Sequence, residues 1–117
     1  MNILFAGTPK PSAKLLQSLF NNKHINIIGV ITKPDVAQKR GNKVQQSPVS
    51  LAASEANLPI FKPDNLNLAE FRETIFKLDF DFLVVAAYGK ILPDWMLESP
   101  KVMPINVHYS LLPKYRG

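Results

Sequence analysis

Residues 3–32, ILFAGTPKPSAKLLQSLFNNKHINIIGVIT, decide the fold. Ile3 to Ala6 is a short unbroken apolar run, of the length expected for a buried strand. Leu15, Leu16, Leu19 and Phe20 then recur at helical spacing, and Ile25 to Thr32, rich in Ile and Val, reads as a second strand. Strand, helix and strand in that order form a βαβ unit, which implies parallel strands and a right-handed crossover.

Outward from this unit the alternation continues. From Lys33 to Gln46 polarity rises and apolar periodicity disappears, which predicts a long loop. Ser47-Pro48 offers an N-cap and a proline at the first helical position, opening a helix over Val49 to Ala56 that Asn57-Leu58-Pro59 ends. Ile60-Phe61 reads as a brief strand. Asn67 with Glu70 suggests the next helix start, with Leu68, Phe71, Ile75 and Leu78 on one face. Phe82 to Ala87 is the most hydrophobic strand and is expected at the sheet centre. Pro93 to Leu97 reads as a short helix packed through Trp95, and the apolar run ending near Val107 as a last strand. The sum is an α/β chain: a Rossmann-like, mostly parallel sheet with helices on both faces, in one compact unit without a linker.

Composition narrows the partners. Fourteen Lys and Arg against nine Asp and Glu give a net charge of +5, which favours an anionic partner such as RNA, a phosphate or a folate tail, although a basic soluble protein without one fits the charge equally well. With no cysteine, disulfides and thiolate metal sites are excluded, and His24 and His108 lie too far apart in sequence for a metal pattern. No metal is therefore expected. Neither a signal peptide nor a run of roughly 20 apolar residues is seen, so the reading is a cytoplasmic protein with no membrane partner.

In an open parallel sheet, ligands collect outside the carboxyl ends of the strands. Three segments answer to that address: Gly7-Thr8-Pro9, Tyr88 to Pro93, and His108 onward. The first turn has a single glycine and no Gly-x-Gly-x-x-Gly, no acidic residue ends the second strand, and no P-loop is present, which disfavours NAD and P-loop nucleotides. Asn106 and His108, two apart at a strand end, would share a face and offer an amide donor beside a titratable imidazole. Alone, the pair fits a turn cap and a satisfied core histidine at least as well.

The motifs Phe5-Ala6-Gly7-Thr8-Pro9, Thr32-Lys33-Pro34-Asp35, Arg40-Gly41, Ser47-Pro48-Val49, Ala87-Tyr88-Gly89-Lys90-Ile91-Leu92-Pro93 and Asn106-Val107-His108-Tyr109-Ser110-Leu111-Leu112-Pro113 run in order along the chain. Together they resemble the 10-formyltetrahydrofolate-dependent formyltransferases, and within them the methionyl-tRNA formyltransferase family. The Asn-x-His-x-Ser-Leu-Leu-Pro segment is common to the wider group, so it speaks for the reaction. Phe-Ala-Gly-Thr-Pro and the basic loop point to the tRNA-specific branch.

The resemblance implies transfer of formyl from 10-formyltetrahydrofolate to the amino group of initiator Met-tRNA, in translation initiation. It assigns catalysis to Asn106 and His108, with an Asp beyond Gly117 orienting the imidazole. It implies folate contacts from Tyr88, Gly89, Ile91, Leu92, Ser110, Leu111, Leu112 and Pro113, although Ile91 and Leu92 equally suit packing under the sheet. It implies tRNA contacts from Lys39, Arg40 and Lys43 in the basic loop and from Gly7, Thr8 and Pro9; a merely solvated loop is the competing reading. Tyr109 stands where many family members carry Gly or another small residue, and Ser110 is expected to support the loop. The resemblance further implies that residues 1–117 are the N-terminal part of a catalytic domain whose remainder, and a C-terminal tRNA-binding barrel, lie outside this chain, with a monomer at full length. Two alternatives stay open: an amino-sugar or other amine N-formyltransferase with the same pair, and a non-catalytic RNA-binding Rossmann module that would need the basic loop but not His108.

Overall fold

A computed structural model describes residues 1–37 and 43–109. Its strands are β1 (Asn2–Gly7), β2 (Asn26–Ile31), β3 (Val36–Ala37), β4 (Val44–Gln45), β5 (Ile60–Phe61), β6 (Phe82–Ala86) and β7 (Met103–Val107). Its helices are α1 (Lys10–Phe20), α2 (Pro48–Glu55), α3 (Ala69–Phe76) and α4 (Asp94–Leu97). Five strands form one parallel sheet in the order β5-β2-β1-β6-β7.

Period-2 alternation divides the core between two faces. Ile3, Phe5, Val30 and Val84 pack with Leu16 of α1 and with Val49 and Ala53 of α2. On the other face Leu4, Ala6, Ile31 and Leu83 pack with Phe71 and Ile75 of α3 and Met96 of α4. Each such fully buried aliphatic or aromatic side chain contributes roughly 1.5–3 kcal/mol. The expectation of a three-layer α/β sheet is met, with one change of order: β1, not β6, takes the central place. All of Ile3 to Ala6 is buried, whereas Phe82 and Val85 of β6 are only half-buried.

Two local expectations are corrected. The stretch from Lys33 to Gln46 includes β3 and β4, a pair of two-residue antiparallel strands, too short to show a period in the sequence. Asn67 does not cap α3, which starts after Leu68 with no side-chain cap. The Asn67 side-chain oxygen is instead taken by the Trp95 indole N–H at 3.1 Å, and Leu68 is exposed. Trp95 is otherwise the packing residue expected, edge-on to Phe71 with the Arg72 guanidinium 5.3 Å over its ring. At α2 the expectation holds: Ser47 accepts from the Ser50 amide at 3.0 Å, with Pro48 next in the first turn. Among the described residues no helix is long and apolar enough to cross a membrane.

Candidate active site

The carboxyl ends of β1 and β6 meet in a tightly fitted turn. A Cβ on Gly7 would lie 2.7 Å from the Ala86 carbonyl oxygen and 3.0 Å from the Ser12 Cβ, so only glycine fits there. That closeness lets Ser12, fully buried on the first turn of α1, donate to the Ala86 carbonyl at 2.5 Å. Thr8 Oγ1 donates to the Tyr88 carbonyl at 2.7 Å. Pro9 is the N-cap of α1, with no side-chain hydrogen bond to offer. Past β6 the backbone turns through left-handed conformations at Ala87 (φ 53°) and Gly89 (φ 97°). Gly89 also leaves space for the Lys33 stem, whose Cδ lies 3.0 Å from where a Cβ would be.

β7 lies beside β6 in register, with Val84 opposite Ile105, Val85 opposite Asn106 and Ala86 opposite Val107. Ile105 and Val107 therefore face α1, and Asn106 faces the α4 side. His108 follows the last ladder pair, and its Nε2 lies 3.4 Å from the Asn106 Nδ2. Both side chains are exposed. The predicted period thus brings amide and imidazole together.

Beside them is a cavity of about 440 Å³ lined by Val85, Tyr88, Lys90, Leu92, Leu97 and Asn106, among others. Two neighbours in its wall differ in burial. Ile91 is 95% exposed, while Leu92 is half-buried and packs against the core. Tyr88 enters this wall as a buried ring, 1% exposed, whose hydroxyl has no partner among the described residues. Burial pushes its pKa up to about 12, so the phenol stays protonated at any physiological pH. Lys90 is tied back by donating to the Asp64 carbonyl at 3.0 Å.

A second cavity, about 300 Å³, runs from Thr8 and Lys33 to Val36, Gln46 and Ser47, at the foot of the β3–β4 pair. The hydroxyl of Ser47, in its lining, lies 2.6 Å from that of the buried Thr32. Of the basic residues singled out in the loop, Lys43 is exposed beside β4, and Lys39 and Arg40 lie outside the described residues. So do Ser110, Leu111, Leu112 and Pro113. The sequence reading missed two contacts at the site, Ser12 to Ala86 and Lys33 over Gly89. Each joins elements far apart in the chain, and no local pattern announces either.

An amide donor and an imidazole at the mouth of a partly apolar cavity suit acyl transfer, in which an oxyanion develops and a proton moves. Among the described residues no cluster of three or more His, Cys, Asp or Glu is arranged to hold a metal ion.

The Formyl transferase family model matches residues 1–117. A curated methionyl-tRNA formyltransferase from Sulfurihydrogenibium sp. is 48% identical over all of this chain, which spans 38% of that protein's length. Among solved structures, a phosphoribosylglycinamide formyltransferase from Anaplasma phagocytophilum superposes with a TM-score of 0.60 at 22% identity, covering the whole chain and 53% of its own. That likeness is one of fold.

Proposed function

Because this chain belongs to the formyl transferase family, we propose that it supplies the formyl-transfer site of an enzyme that moves formyl from 10-formyltetrahydrofolate to the amino group of initiator Met-tRNA. One observation carries the catalytic part: the Asn106 amide and the His108 imidazole, 3.4 Å apart at the end of β7 beside an open cavity. The 48% identity to a methionyl-tRNA formyltransferase, together with the basic Lys39/Arg40/Lys43 loop, supports the acceptor.

In this reading the acceptor nitrogen attacks the formyl carbon and the carbonyl oxygen becomes an oxyanion. The Asn106 N–H donates to that oxygen, a contact worth about 10²–10³ in rate. His108 starts neutral, takes a proton from the attacking amine, and in the resulting imidazolium form donates to the same oxygen. The proton lost by the attacking amine passes to N10 of the folate as the carbon–nitrogen bond breaks, with His108 as its carrier. The apolar Leu92 and Leu97 wall suits a pterin ring, while Gly7, Thr8 and Pro9 border the acceptor side. Arg40, with Lys39 and Lys43, attracts the tRNA backbone, a term that weakens with salt.

The test is formyl transfer to charged initiator Met-tRNA by the complete gene product, beside two variants. His108→Ala is expected to lose about 10²–10⁴ in kcat. Arg40→Ala is expected to raise the KM for tRNA and leave that for the folate unchanged. A folded wild-type protein that leaves Met-tRNA unmodified would exclude this acceptor, and wild-type rates in His108→Ala would exclude the catalytic assignment.

A further inference from the structure

β7 carries chemistry on one face and an anchor on the other. Asn106 and His108 share the side toward α4, whereas Ile105 and Val107 face α1, and Tyr109 continues their alternation. The phenol of Tyr109 reaches the first turn of α1 and donates to Ser12 Oγ at 3.2 Å. Ser12 is fully buried and donates its own hydrogen bond to the Ala86 carbonyl at 2.5 Å. Ala86 is in turn the ladder partner of Val107. A closed circuit results: Val107 pairs with Ala86, Ala86 accepts from Ser12, Ser12 accepts from Tyr109, and the chain returns through His108.

Within that circuit His108 follows the last ladder pair, and its side chain meets the Asn106 amide at a long 3.4 Å. Its backbone is bracketed by Val107 on one side and the Tyr109 hydroxyl on the other. An exposed imidazole has several rotamers, and acyl transfer needs one. We propose that Tyr109 is a positioning residue: through Ser12 and Ala86 its hydroxyl pins the turn that aims His108 at the point reached by the Asn106 amide. The inference rests on His108 acting in the reaction. It adds a phenol, 97 positions from its serine partner, that no motif assigns to catalysis.

The geometry also decides what Tyr109 does not do. Its hydroxyl is spent on Ser12, on the face away from Asn106, so it is neither the acid nor the base. Substituting it should alter the rate constant and leave substrate affinity alone.

Tyr109→Phe removes the one hydrogen bond and keeps the ring. In the complete protein it is expected to lower kcat about tenfold, with KM for donor and acceptor unchanged, since small misplacements of a reacting group cost one to two orders of magnitude. Ser12→Ala should give a similar loss, and the double variant no further loss, because both break one circuit. Ring-selective nitrogen NMR of His108 gives a readout independent of turnover: a single ordered ring environment in wild type, exchange-broadened in Tyr109→Phe. Wild-type kcat in Tyr109→Phe overturns the proposal, as do additive losses in the double variant. A raised acceptor KM at unchanged kcat also overturns it, making Tyr109 a substrate contact. Should His108→Ala retain full transfer, the catalytic reading itself falls, whereas the NMR comparison still tells whether Tyr109 orders the imidazole.

Discussion

The turns after β1 and β6 and the segment at the end of β7 border the same site, yet they are built in opposite ways. The first is packed to the limit: Gly7 has no room for a methyl group, Ser12 is buried, and Thr8 and Ser12 donate to the Tyr88 and Ala86 carbonyls at the end of β6. The second is open, with Asn106 and His108 exposed and joined to each other by a single long contact. Rigidity and chemistry have been given to different residues. Stability is therefore predicted to reside on one side of the site and rate on the other.

Asn106→Ala should break this division most visibly if it is wrong. Removal of one donor to a developing oxyanion is expected to lower kcat by about 10²–10³. The same change on an exposed strand position should alter unfolding free energy by no more than about 0.5 kcal/mol, measured by urea titration. A large loss of stability would mean that the amide serves the strand and not the reaction.

Gly7→Ala is the mirror image. A methyl group forced against the Ala86 carbonyl and Ser12 is expected to destabilise by about 1–3 kcal/mol, read as a lower denaturant midpoint. The surviving folded fraction is expected to keep its affinity for the folate.

The smallest effect belongs to Tyr88, inside the packed region. Burial raises its pKa in the folded protein to about 12, against 10.0 for an unperturbed tyrosine. Between those values the unfolded chain loses the proton first, so stability is complete below pH 10 and declines as pH rises toward 12. At pH 11 the decline amounts to about 1.4 kcal/mol, and Tyr88→Phe should not show it. Comparing urea unfolding of the two proteins at pH 8 and pH 11 measures the difference. Because the phenol hydroxyl is buried without a partner among the described residues, the variant is also expected to equal or slightly exceed wild type at pH 8.

The same contrast marks what a reader of the sequence could see. The α2 start was legible because Ser47 and Pro48 act within one turn, and the Asn106–His108 pair because a strand repeats every two residues. The Asn67 cap was misread because the side chain has a better use 28 positions away, on Trp95. The β3–β4 pair has two residues per strand, fewer than one period requires. The strand order also escaped: hydrophobicity favoured β6 for the centre, but β2, β1 and β6 all have neighbours on both sides, and which of them lies between the other two is set by topology. Ser12, finally, looks like any polar residue of a helix start. Only the meeting of β1, β6 and α1 shows that its hydroxyl bridges to Ala86 and receives Tyr109.

The central position of β1 has a consequence during synthesis. β1 leaves the ribosome before both of the strands that flank it, β2 and β6. One of its edges is matched as soon as β2 follows, but the other waits for β6, which begins at Phe82, 75 residues after β1 ends at Gly7 (82 − 7). At about 5–20 residues per second that edge stays unpaired for roughly 4–15 s, on a strand whose Ile3, Leu4, Phe5 and Ala6 are all buried in the finished fold. A nascent chain stalled before Phe82 is accordingly the species most in need of a chaperone, and release of that need as translation passes Ala86 would mark the moment at which the sheet closes around its own first strand.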